Sequence, residues 1–92
     1  MEKIEKDLTV VNKKGLHARP AALLVGMAEK FNVNLTITKD GESINGKSIM
    51  GILMLGAVAG TVLRIAVEGS EAKGAMEEIE KFFSKQEEEY VS

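Results

Sequence analysis

Apolar and polar residues alternate along the first ten positions. Ile4, Leu8 and Val10 fall on one side of an extended chain and Glu5, Asp7 and Thr9 on the other, with Lys6 among the inner set. The pattern predicts a half-buried first strand. Asn12-Lys13-Lys14-Gly15 interrupts it, and Ala21, Leu24, Val25, Ala28 and Phe31 then follow at helical spacing, predicting an amphipathic helix from about His17 to Phe31. Val33, Leu35 and Ile37 alternate with Asn34, Thr36 and Thr38, and Asp40-Gly41 carries the signal of a tight hairpin turn into a short returning strand over Ser43 to Asn45. Ser48 stands where an N-cap belongs, ahead of an apolar helix from Ile49 to about Val58. After Gly60, Leu63, Ile65 and Val67 alternate with Arg64, Ala66 and Glu68 as a fourth strand. Ser70 then caps a last helix with Ala72, Ala75, Met76, Ile79, Phe82 and Phe83 on one stripe, and residues 86–92 read as a frayed acidic tail.

Strands that alternate inside and outside, interleaved with amphipathic helices, favour one sheet with helices on a single face and its other face wet. A two-layer α+β sandwich is expected. At 92 residues the chain has apolar surface for one core, so residues 1–92 are expected to form a single domain.

Composition narrows the chemistry. Fourteen acidic and 12 basic residues leave a net charge of -2, which gives no long-range attraction for nucleic acid or anionic lipid. There is no cysteine and one histidine, so neither thiol chemistry nor a zinc site is expected, and no glycine-rich nucleotide loop points to a cofactor. The run from Ile49 to Leu63 is nearly all apolar but shorter than the about 20 residues a spanning helix needs, and glycines break it, so no membrane insertion is expected. Met1 to Asp7 alternates charges with no apolar core after them, which places the chain in the cytoplasm as an expectation.

Gly15-Leu16-His17-Ala18-Arg19-Pro20 carries the candidate chemistry. It puts His17 at the mouth of the first helix, where the N–H groups of Ala18 and Arg19 have no intrahelical acceptor and are available to an anion. Pro20 fits a first turn, which needs no donor from it. A neutral imidazole nitrogen there can attack phosphorus. The N–H groups, the helix dipole and the Arg19 guanidinium then hold the dianionic product, and Gly15 lets backbone approach it closely. A plainer reading makes His17 a surface residue at a helix start and Arg19 a solvated charge. The combination with glycine, arginine and proline around the chain's one histidine is hard to explain by packing.

The second helix is apolar all round, and a domain this small covers only one side of it, so Ile49, Met50 and Leu53 are expected to face outward as an adaptable docking patch. A phosphate on Ser48 would place about two negative charges beside that patch and block docking without unfolding the helix. A chain that docks through this patch with His17 unmodified, a binding module, is the alternative from another functional class.

These residues resemble the histidine-containing phosphocarrier protein family, HPr, over essentially the whole chain. Gly15-Leu16-His17-Ala18-Arg19-Pro20-Ala21 is similar to the family's active-site motif, and Asn45-Gly46-Lys47-Ser48-Ile49-Met50-Gly51 followed by Leu55-Gly56-Ala57 to its second signature. The resemblance implies an open-faced sandwich, a four-stranded antiparallel sheet in order 1-4-2-3 under three helices. It implies that His17 accepts phosphate from phosphorylated enzyme I and donates it to the IIA domain of a sugar permease, with Arg19 steadying it. This makes the chain a transfer intermediate and not an independent enzyme. Ser48 corresponds to the site of a dedicated kinase, HPr kinase/phosphorylase, whose product engages a catabolite-control transcription factor, and Ile49, Met50 and Leu53 to the shared docking surface. Lys14 stands where a small polar residue is common in the family, so an ammonium takes the place of a hydroxyl or amide. The family's catabolite-repression paralogue lacks the histidine, which His17 argues against. Its nitrogen-regulation paralogue keeps it and stays open. A monomer is expected.

Overall fold

The structure is a computed structural model and describes residues 2–90, with side chains for residues 2–85. Strand β1 (Lys3–Thr9) is followed by helix α1 (Ala18–Ala28), strands β2 (Asn34–Lys39) and β3 (Glu42–Asn45), helix α2 (Ile49–Met54), strand β4 (Val62–Glu68) and helix α3 (Ala72–Tyr90). The four strands form one antiparallel sheet in the order β1-β4-β2-β3.

Central position in the sheet explains the composition of β4. It pairs with β1 through Leu8↔Leu63 and Ile4↔Val67, and with β2 through Ile37↔Ile65 and Leu35↔Val67, so its three inward residues have neighbours on both sides. Leu63, Ile65 and Val67 are all fully buried, each contributing roughly 1.5–3 kcal/mol by leaving water. On the outward side, Arg64 bridges Glu5 at 3.2 Å and Asp7 at 2.8 Å, exposed pairs of small energetic weight. Lys6, the one charge on the inner side of β1, reaches past the core to Glu80 of α3 at 3.0 Å. In the hairpin between β2 and β3, Asp40 and Gly41 take φ of 49° and 82°, the left-handed pair that a tight turn of this hand requires.

All six stripe residues predicted for α3 are buried, and α1 contributes Ala21, Leu24, Val25 and Ala28 to the same core. Several boundaries differ from the expectation. The first helix ends at Ala28 because Lys30 and Phe31 donate to the carbonyls of Met27 and Ala28 in a tightened turn, and Phe31 is half-buried beyond it. The second helix stops at Met54, four residues short of Val58, because Gly56 adopts φ 60° and the amides of Leu55 and Gly56 bond to Ile52 and Leu53. Ser70 does not cap α3. Its hydroxyl accepts from Asn32 Nδ2 at 3.0 Å, and the helix begins two residues later at Ala72. The main chain of α3 runs helical to Tyr90, through most of the segment whose acidic composition predicts a frayed tail, and residues 91–92 lie outside the described ones. Among the described residues no helix is long and apolar enough to cross a membrane.

Candidate functional site

His17 is the N-cap of α1, with an extended backbone (φ -86°, ψ -171°) and a carbonyl that accepts from Ala21 at 3.0 Å to open the helix. Its side chain makes no capping bond, so the ring is not consumed by the helix it begins. The imidazole is half-buried, with Nε2 enclosed and without a hydrogen-bond partner. Nδ1 is not enclosed in this way. The amides of Ala18 and Arg19 follow at once and have no acceptor among the described residues, as expected for the first turn. Arg19 is exposed with no ion pair among those residues, and Pro20 is fully buried, locking the turn from within. The arrangement sets a ring nitrogen beside two N–H donors without acceptors, a helix end and an exposed planar cation, groups that suit an anion arriving from solvent.

The loop ahead of His17 is built on a second loop. Gly15 has φ 71°, and a side chain there would run into the Ala57 carbonyl, with Val58 Cα 3.0 Å away. The close approach that glycine permits is thus to the 57–58 backbone, and the sequence-level reason for Gly15, contact with phosphate, is replaced by this packing. The Leu16 amide donates to Ala57 O at 2.9 Å, and Val10 zips to Thr61 and Gly60 at 2.9 and 2.7 Å. Lys14 gives its amide to Asn12 Oδ1 at 2.9 Å, and its exposed side chain makes no hydrogen bond or ion pair among the described residues.

Ser48 caps α2, its hydroxyl accepting from the Gly51 amide at 3.0 Å. Beside it, Ile49 and Met50 are exposed at 40% and 66%, as the patch predicts. Leu53 is instead half-buried against the core, and Met54, at 78%, is the more exposed residue of that turn. Met50 and Met54, four residues apart, share the outward face of α2, while Ile52 is buried and Leu53 packs against the core. The patch is joined to the histidine loop because α1 and α2 pack together and the chain leaving α2 supplies Ala57.

A family model described as "PTS HPr component phosphorylation site" matches residues 4–85, a span that contains every residue of this site. The chain belongs to the HPr family, the phosphocarriers of the phosphotransferase system. Phosphocarrier protein HPr of Xylella fastidiosa is 44% identical over 80 residues, covering 87% of this chain and 90% of that one. The crystal structure of HPr from Bacillus anthracis superposes with a TM-score of 0.85 at 41% identity, over 90% of this chain and 99% of its own. Crh, the Bacillus subtilis catabolite-repression protein, is similar at 33% identity and a TM-score of 0.74, over 91% and 97% of the two chains, and its structure is described as a swapped dimer.

Against the HPr fold, what the sequence reading passes over is the support of the site. Ala57 and Val58 read as the tail of a helix and act as a platform for Gly15 and Leu16. The groove between β1 and α3, lined by Leu8, Val11, Glu77 and Phe83, contains none of the candidate residues. The half-buried histidine thus lies at the helix start, outside that groove.

Proposed function

We propose that the chain accepts a phosphoryl group on Nδ1 of His17 from phosphorylated enzyme I and passes it to IIA domains of sugar permeases in the cytoplasm. The Nδ1 lone pair forms the new bond to phosphorus as the bond from phosphorus to the donor's leaving atom breaks. The N–H groups of Ala18 and Arg19 and the Arg19 guanidinium take up the charge on the phosphoryl oxygens. Transfer onward reverses these steps, so the site must hold the phosphate without trapping it, and an exposed arginine with no fixed partner meets that need. The single observation that carries the reading is an imidazole left free of the helix it caps, with Nε2 enclosed, beside two unpartnered helix N–H groups.

Ile49, Met50 and Met54 form the surface on which enzyme I and IIA domains dock, with Leu53 supporting it from below. A kinase of the HPr kinase/phosphorylase type phosphorylates Ser48. The phosphate then adds about -1.5 to -2 charge at the patch edge, which weakens enzyme I docking and suits a catabolite-control transcription factor that reads the phosphoserine. The protein works as a monomer. Likeness to the catabolite-repression protein Crh at 33% identity supports a second reading, a regulatory module that binds through the same patch.

Replacing His17 by alanine separates the two readings. The carrier loses all acceptance of labelled phosphate from phosphoenolpyruvate and enzyme I while keeping its affinity for enzyme I. Undiminished labelling of the alanine variant would remove the assignment.

A further inference from the structure

We propose that Asn12 is a positioning residue for the chemistry at His17, an inference that rests on the carrier reading above. Among the described residues it is the one polar side chain buried completely, at 0% exposure. Its Oδ1 accepts from the Lys14 amide at 2.9 Å and its main-chain carbonyl from the Gly15 amide at 2.8 Å, while Nδ2 is enclosed with no acceptor. Turning the amide over would set a donor against the Lys14 N–H, so this orientation is the one the loop allows. A buried N–H group without an acceptor is a cost to the fold, and an apolar residue at position 12 would avoid it.

What the side chain provides is the turn. Its oxygen mimics a backbone acceptor two residues ahead, and the carbonyl closes a second, overlapping turn on Gly15 at φ 71°. From there the constraints run without a gap. The Leu16 amide is held by Ala57 O and the His17 carbonyl by the Ala21 amide, so every residue from Asn12 to His17 except Lys13 makes a hydrogen bond through its backbone. The buried asparagine is the first link in the series that ends at the reacting ring. A displacement of the acceptor by about 1 Å is enough to cost up to about a hundredfold in rate, so slackening the first link will be felt at the last.

The test compares wild type with Asn12→Ala and Asn12→Asp in steady-state transfer from enzyme I, together with amide hydrogen exchange of the unphosphorylated proteins. In Asn12→Ala, kcat should fall about tenfold or more with KM nearly unchanged, because Ile49 and Met50 are untouched. Asn12→Asp, which keeps an oxygen on the Lys14 amide, should stay within about threefold of wild type. Exchange of the Gly15 and Leu16 amides should quicken about tenfold in Asn12→Ala and not in Asn12→Asp, with Ile65 on the central strand unaffected. Equal kcat in wild type and Asn12→Ala, or equal losses in both variants, overturns the proposal. If Asn12→Ala does not fold, Asn12→Gln, which moves the acceptor outward by one methylene, is read in its place against the same limits. If wild type itself accepts no phosphate, the carrier reading fails, and the exchange data still decide the role of Asn12: unchanged Gly15 and Leu16 amides overturn it.

Discussion

The amide of Leu16 donates to the carbonyl of Ala57 at 2.9 Å, and through that bond the loop carrying His17 rests on the chain that leaves helix α2. The proposed phosphate acceptor and the proposed partner surface are thereby tied together through the backbone. On the proposed function, a partner seated on Ile49, Met50 and Met54 would meet a His17 loop already held in place, which spares the encounter an entropic cost.

Gly15 is the contact most sensitive to this arrangement. Gly15→Ala places a side chain at φ 71° against the Ala57 carbonyl and Val58 Cα, and is expected to destabilise the fold by about 2–4 kcal/mol. Urea unfolding measures the loss, and transfer at a temperature where the variant is folded should remain slower than wild type, since His17 has moved with the loop.

Arg19 has no structural bond to lose. Arg19→Ala should leave the melting temperature within about one degree of wild type and lower the rate of transfer by about ten- to a hundredfold, the worth of one hydrogen bond to a charged group. Arg19→Lys should fall between, keeping the charge and losing the fork. Stopped-flow transfer from enzyme I gives the rates and calorimetry the stability.

At Ser48, stability and docking separate. Ser48→Ala removes the acceptor for the Gly51 amide and should cost about 1 kcal/mol while leaving enzyme I transfer nearly intact. Ser48→Asp keeps a capping oxygen and adds charge beside Ile49 and Met50, so it should fold as well as wild type and show a raised KM for enzyme I. An unchanged KM would count against Ser48 as a switch.

Met50→Glu tests the patch itself. With Met50 exposed at 66%, the fold should be indifferent, whereas KM for enzyme I should rise about tenfold and kcat change little. A fall in kcat alone would place Met50 outside the docking surface.

The sheet was legible because each strand has a distinct inside and outside. Leu63, Ile65 and Val67 are buried where their alternation puts them, and Asp40-Gly41 supplies the left-handed pair that the hairpin needs. His17, Ala18 and Arg19 were legible for a similar reason, since a helix start follows from local spacing. Long-range contacts were not. Ser70 looks like a cap until Asn32, 38 residues away, takes its hydroxyl. Leu55 and Ala57 are buried, Ala57 against the histidine loop, and without the fold in view their apolar character lengthens the second helix. Asn12 carried a visible turn signal, Asn-Lys-Lys-Gly, but its complete burial comes from the fold around it.

Phosphorus NMR of the protein labelled with nitrogen-15 in histidine, after incubation with phosphoenolpyruvate, magnesium and enzyme I, tests the central claim most directly. The account predicts one acid-labile phosphoramidate resonance coupled to Nδ1 of His17. A resonance coupled to Nε2, or none from folded protein with an enzyme I active on another carrier, would contradict it.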